Sequence, residues 1–142
     1  MNQHRVQEMM RLMASRIDAI ACHISDEEVS RFISELMGAR RIYVMGAGRS
    51  GLVAKAFAMR LMHLGMMSYV VGETITPALQ KADVMVVLSG SGKTRTIAEI
   101  VQTAREIGGR ICLITSNPDS VIGKIADSVV VIENYREKVP DE

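Results

Sequence analysis

The stretch VLSGSGKT, Val87 to Thr94, runs from an apolar segment into small residues, a lysine and a threonine. Its last three residues match the end of the nucleotide-binding pattern G-x-x-x-x-G-K-[ST], but that pattern requires a glycine where Val87 stands. The segment is therefore too short to wrap a triphosphate as a P-loop does. It instead predicts a strand, a tight turn and a helix whose first backbone N–H groups face an anion.

Hydroxyl and glycine residues are concentrated in this turn. Ser89, Ser91 and Thr94 can each direct a hydroxyl inward, while the backbone around Gly90 and Gly92 supplies amides at the helix N-terminus. A phosphate monoester matches such a site in size and charge. The simpler alternative is a strand–helix turn in which Ser91 or Thr94 only caps the helix. Because two glycines and three hydroxyls exceed what capping needs, we expect a phosphate site here.

Five short apolar runs alternate with amphipathic stretches after residue 38. The runs are residues 41–45, 68–71, 83–88, 110–115 and 128–132. They are almost continuously apolar, as in parallel strands that are buried on both faces. Such alternation predicts a doubly wound α/β domain, with parallel strands flanked by helices and ligands bound at the carboxyl ends of the strands.

Two helices are predicted ahead of the sheet. The first carries apolar residues at helical spacing between Met9 and Ile20, and the second begins at Ser25, where Glu28 completes a capping box. The 142 residues contain no linker and no repeat, so we expect one domain. Its parts are the leading helices at 1–38, the α/β core at 39–134 and a short tail at 135–142.

The composition argues against several classes of protein. The net charge of +1 lacks the basic field of nucleic-acid-binding proteins, and no apolar stretch is long enough to span a bilayer. The N-terminus carries charges throughout, unlike a signal peptide. Cys22 and Cys112 lie in apolar-looking segments without metal-ligand spacing. We therefore expect a reduced, cytoplasmic protein that uses neither a metal nor a cofactor.

The segment GAGRSG, residues 46–51, favours an alternative function. It satisfies the dinucleotide pattern G-x-G-x-x-G after a predicted strand, and Glu73, at the end of the next strand, is placed to contact a ribose. An NAD-binding module is therefore an alternative. Two observations count against it, because such domains rarely need a second anion-binding turn and the chain leaves no room for a separate catalytic domain.

Glu73 and His63 are the candidate acid/base residues. Glu73 belongs to the loop GETITP, residues 72–77, and is a candidate general base, although a lone acid in a loop is more often solvated. His63 is either an acid/base group or a helix-end residue favoured by the helix dipole. A fourth loop, TSNPDS at 115–120, is interpreted as a turn before a short helix.

Apolar residues outnumber those that one sheet face can cover. The predicted helix at 50–64 is apolar around most of its circumference, and Met9, Met10 and Met13 add a second apolar surface. Exposed apolar surface of this kind usually marks an interface. We therefore expect a homo-oligomer.

The segments GAGRSG, MRLMHLG, VVGETITP and LSGSGKT, in this order, resemble SIS (sugar isomerase) domains, and among these the 6-phospho-3-hexuloisomerases. The resemblance covers about residues 5–135 and implies a flavodoxin-like fold with five parallel strands. It further implies that a phosphosugar is the small-molecule partner. The family interconverts 3-hexulose 6-phosphate and fructose 6-phosphate without metal or nucleotide, commonly as a tetramer.

The resemblance also implies roles for individual residues. Ser89, Ser91 and Thr94 would hold the phosphate. Arg49 and Ser50 would line the sugar pocket, together with the neighbouring Gly48. His63 matches a histidine near the active site of the family.

One segment of the family pattern has no counterpart here. The family continues past the fifth strand into a G-T-x-F-E type motif, whose glutamate is its usual candidate base, and a final helix. This sequence stops at ENYREKVPDE. The interpretations are a truncated protein, a different base, or a module that binds a sugar phosphate without turnover.

Overall fold

The computed structural model describes residues 4–90, 92 and 94–133. In order, these residues form α1 (His4–Ala21), α2 (Asp26–Gly38), β1 (Ile42–Gly46), α3 (Arg49–His63), β2 (Ser68–Val70), β3 (Val84–Leu88), α4 (Arg95–Ile107), β4 (Arg110–Thr115), α5 (Val121–Ile125) and β5 (Ser128–Val131). The strands make one parallel sheet in the order β2-β1-β3-β4-β5. The predicted doubly wound α/β fold with two leading helices is confirmed.

The central strands bury both of their faces. Successive side chains of a strand point to opposite sides of the sheet, so a strand covered on both sides is apolar throughout. One face packs against α2 and α3, and the other packs against α4 and α5. The first core holds Phe32, Leu36, Ile42, Val44, Ala54, Leu61, Val84, Val86, Cys112 and Val130. The second holds Met45, Met85, Val87, Ile97, Val101, Ala104, Ile111, Leu113 and Ile122.

Both cysteines are reduced, but only one of them is in the core. Burial raises the pKa of the Cys112 thiol to about 12, which makes it a poor nucleophile. Cys22 is exposed between α1 and α2. Cys22 lies outside both cores because α1, which precedes it, packs into neither of them.

Helix α1 has no buried residue, although its apolar side chains recur at helical spacing. Met10 and Ile17 are 65% and 66% exposed. Helix α3 also leaves apolar side chains in solvent, among them Leu52 and Met62. The predicted excess of apolar surface is present in this chain, and its burial against another subunit stays a prediction. In the described part of the chain, no helix is both long and apolar enough to cross a membrane.

A buried ion pair fixes the amino-terminal edge of the sheet. Asp83, before β3, is 1% exposed and lies 2.6 Å from Nη2 of Arg41, before β1. The backbone amide of Gln80 donates to the same carboxylate at 2.8 Å, and Arg41 also donates to the Ala78 carbonyl at 3.2 Å. Burial raises the pKa of Asp83, but the hydrogen bonds from Arg41 and from the Gln80 amide outweigh burial and hold this pKa below its usual value. The pair therefore ties the β2–β3 loop to two strands.

The Asp83→Asn variant is expected to lose about 3 kcal/mol of unfolding free energy at pH 7, because one partner of a buried pair is left uncompensated. Since the folded-state pKa of Asp83 is lowered, its contribution is present above the unfolded-state value of about 4 and is lost as the pH falls through the folded-state value. Urea unfolding at pH 7 and at pH 3 measures the difference in unfolding free energy between the variant and the unaltered chain. This difference should be smaller at pH 3. Glu99→Gln, in an exposed pair with Arg95, is the matched control. A difference in unfolding free energy that is the same at both pH values would contradict the lowered pKa of Asp83.

Candidate functional site

An open cleft of about 970 Å³ lies at the carboxyl ends of β1, β3 and β4. Parallel strands bring their carboxyl ends to one edge of the sheet, so the loops that follow them meet there. The polar residues that line the cleft are Arg49, Ser50, Ser89, Thr94, Thr115, Ser116 and Glu133, and Gly90 contributes backbone. Apolar side chains from α2 and α3, including Phe32 and Phe57, complete the wall. Five predicted binding residues therefore share one cleft: Arg49, Ser50, Ser89, Gly90 and Thr94.

The turn between β3 and α4 contains an internal hydrogen bond. The Ser89 hydroxyl is buried and accepts a hydrogen bond from the Gly92 amide at 3.0 Å. Gly92 is buried with φ +65°, and a Cβ at this position would collide with the Ser120 side chain. Ser91, the third predicted hydroxyl residue, lies outside the described residues. Ser89 therefore shapes the turn as well as lining the cleft.

Thr94 occupies the N-cap position of α4, but its side chain makes no capping hydrogen bond. Its side chain is exposed and lines the cleft instead. By contrast, the N-cap residues of α2 and α5, Ser25 and Ser120, both accept hydrogen bonds from their helices. Capping therefore does not explain Thr94, which favours the ligand-binding alternative for this turn.

The glycine pattern of GAGRSG has a packing explanation. A Cβ on Gly46 would lie 2.7 Å from the carbonyl carbon of Ser50, and a Cβ on Gly51 would lie 2.7 Å from the carbonyl oxygen of Gly46. The end of β1 and the first turn of α3 are therefore in backbone contact, which requires glycine at both positions. Gly48 is the N-cap residue of α3. The spacing arises from close strand–helix packing and needs no dinucleotide.

The structure does not bring His63 into the cleft of its own chain. His63 is the last residue of α3 and does not line the cleft, whereas Arg49 and Ser50, which do, lie in the first turn of that helix, roughly 20 Å away along the helix axis. Its ring is exposed, with Nδ1 3.4 Å from Nη1 of Arg60. A catalytic role for His63 stays a prediction, and it requires a second copy of the chain.

Glu73 also lies outside this cleft. Its carboxylate is 3.3 Å from Nζ of Lys55, and it borders a separate pocket of about 520 Å³ between the β2–β3 loop and α4. The role of Glu73 as a general base stays a prediction. A carboxylate that does line the cleft, Glu133, was missed from the sequence because it follows the last strand without a recognisable motif. Thr115 and Ser116 were assigned only to a turn, although Thr115 ends β4 and Ser116 follows it, which places both at the same edge.

Comparisons with known proteins show the family to which the chain belongs. The model of the family described as SIS domain matches residues 35–139. An uncharacterized protein of Archaeoglobus fulgidus is 44% identical over 133 residues, which are 94% of this chain and 73% of that protein. The 3-hexulose-6-phosphate isomerase of Bacillus subtilis is 42% identical over 110 residues, which are 78% of this chain and 60% of the enzyme.

A solved structure shows the same fold. A hypothetical protein from Methanococcus jannaschii, whose crystal structure infers a molecular function of 3-hexulose-6-phosphate isomerase, is 32% identical with a TM-score of 0.79. The match covers 91% of this chain and 76% of that one. The matches span between 40% and 73% of the length of curated relatives. The family expected from the four sequence motifs is confirmed, and the chain belongs to the SIS domain family.

Proposed function

We propose that this chain is a phosphosugar isomerase that interconverts 3-hexulose 6-phosphate and fructose 6-phosphate in the cleft at the carboxyl ends of the strands. The observation that carries the proposal is the side chain of Thr94, which starts α4 without capping it and lines the cleft beside Ser89. Such a turn at a helix N-terminus suits the phosphate end of a substrate. The names of the Bacillus subtilis relative and of other relatives support the choice of sugar.

The chemistry requires a proton to move between neighbouring carbons through an enediol. A base removes a proton from the carbon beside the carbonyl and returns it to the other carbon, while hydrogen-bond donors stabilise the enediolate oxygens. With the phosphate held at the turn, Arg49 and Ser50 at the start of α3 are the donors for the sugar. Binding energy from the phosphate positions the reacting carbons. The described lining offers one carboxylate for this transfer, that of Glu133.

A homo-oligomer, and a tetramer in particular, is the assembly that we propose. The support is the exposed apolar surface of α1 and α3, which a single chain leaves in water. In such an assembly, His63 at the end of α3 serves the cleft of a neighbouring copy. We propose the cytoplasm as the compartment, because the buried thiol of Cys112 is unpaired.

Equilibrium titration tests the class of ligand. Fructose 6-phosphate is expected to bind saturably and to raise the unfolding temperature, because a ligand that binds only the folded state stabilises it. Unphosphorylated fructose is the matched control and should have a much smaller effect at the same concentration. Stabilisation by NAD alone would refute the proposal and favour the dinucleotide alternative.

A sugar-phosphate-binding module without turnover is the second candidate. It is favoured by one observation, namely that neither His63 nor Glu73 lines the cleft of its own chain. This candidate predicts the same titration result as the isomerase, so only a measurement of turnover separates the two.

A further inference from the structure

The carbonyl oxygen of Gly90, in the turn between β3 and α4, accepts hydrogen bonds from three donors at the end of β4 and the start of the β4–α5 loop. The Ser116 hydroxyl donates at 2.6 Å, the Ser116 amide at 3.1 Å and the Thr115 hydroxyl at 3.1 Å. A carbonyl oxygen has two lone pairs, so three donors saturate it. The β4–α5 loop therefore holds the turn that we assign to phosphate.

The hydroxyl of Thr115 has a defined direction. Thr115 is 2% exposed, and its oxygen accepts a hydrogen bond from the Asn117 amide at 3.0 Å. The same hydroxyl donates its proton to the carbonyl oxygen of Gly90, which is its second hydrogen bond. Such a fully engaged, buried hydroxyl acts as a fixed donor rather than as a rotating one.

Charge explains why this arrangement matters beside an anion. Gly90, Thr115 and Ser116 all line the cleft. A bare carbonyl oxygen at this place would repel a phosphate, because both carry negative charge. Three donors offset the partial charge of that oxygen and fix its direction, which weakens its repulsion of the anion.

We infer that Thr115 and Ser116 are positioning residues for the anion-binding turn, acting through the Gly90 carbonyl and not through contact with the sugar. The identity of the sugar rests on the proposed function, but the effect on the anion does not. Inorganic phosphate is therefore the direct probe, and fructose 6-phosphate is the second.

The test compares variants at Thr115 by calorimetric titration. Thr115→Val keeps the shape of the side chain but removes the hydroxyl, and with it the donor to Gly90 and the acceptor for the Asn117 amide, so both probes are expected to bind about five-fold more weakly. Thr115→Ser keeps the donor and should restore both affinities. Thr103→Val is the matched control, because the Thr103 hydroxyl donates only within α4, to the Glu99 carbonyl. In turnover assays KM should rise by the same factor with kcat unchanged, which general destabilisation would not produce.

Unchanged phosphate affinity in Thr115→Val, with wild-type circular dichroism, would overturn the inference, as would a wild-type protein that binds no inorganic phosphate. Should Thr115→Val fail to fold, Ser116→Ala at the less buried position replaces it, with the same expected and overturning results. A wild type that binds phosphate, but not fructose 6-phosphate, would refute the proposed sugar. If Thr115→Val then still weakened phosphate binding, the inference would stand.

Discussion

The Gly92→Ala variant is expected to bind fructose 6-phosphate about 100-fold more weakly than the unaltered chain, a loss of about 2.7 kcal/mol. At φ +65° the backbone of Gly92 is left-handed, which costs a residue with a Cβ about 1–2 kcal/mol. The new methyl group would also collide with the Ser120 hydroxyl. The turn must therefore move, and the hydrogen bond from the Gly92 amide to Ser89 is lost or lengthened.

Isothermal titration of both proteins measures this effect. Gly38→Ala is the matched control, because a Cβ on Gly38, at the end of α2, meets no atom within 4 Å. The Gly92→Ala variant should keep a wild-type circular dichroism spectrum, since the change is confined to one turn. Wild-type affinity in this variant would place the ligand elsewhere.

The His63→Ala variant is expected to lose about 10²- to 10⁴-fold in kcat, the usual loss when an acid/base group is removed. Since His63 is remote from the cleft of its own chain, the loss would arise in the cleft of a neighbour. Subunits with His63→Ala should therefore regain activity when they are dissociated and reassembled with subunits that carry Ser89→Ala. Some mixed sites then contain both the intact turn and the histidine.

Controls for this mixing experiment are available in the chain. His4→Ala, which also changes an exposed histidine on a helix, should leave kcat unchanged. Sedimentation must show an oligomer before mixing. A monomer, or mixed assemblies no more active than their parents, would return His63 to the role of a helix-end residue.

The fold could be predicted because each strand and helix is recognisable from the pattern of apolar residues within its own segment. A strand buried on both faces must be apolar throughout, as Val84 to Leu88 are. The amphipathic α4 instead has one buried face, which is visible in the helical spacing of its apolar residues. The carboxyl ends of parallel strands share an edge whatever their sequence. That geometric rule predicts that the turn with Ser89 and Thr94 lies at the ligand edge, whereas the assignment of Ser50 to the sugar pocket came from the resemblance to SIS domains.

Other parts of the site depend on geometry that no spacing encodes. The dinucleotide-like pattern of Gly46 and Gly51 arises from contact between a strand end and a helix, which the pattern alone cannot separate from phosphate binding. Glu73 follows a strand, but its loop turns toward α4 and so leaves the cleft. The three donors on Gly90 come from residues 25 and 26 positions later in the chain, which only the folded structure brings together.

Turnover of 3-hexulose 6-phosphate is the most direct test of the proposed isomerase. Glucose-6-phosphate isomerase converts the fructose 6-phosphate that forms to glucose 6-phosphate. Glucose-6-phosphate dehydrogenase then oxidises this product, and the rise in NADPH absorbance reports the rate. We expect a saturable rate well above that without protein, which falls in the Gly92→Ala variant and persists in Gly38→Ala. Saturable binding of fructose 6-phosphate without any turnover would refute the proposed isomerase and leave a binding module.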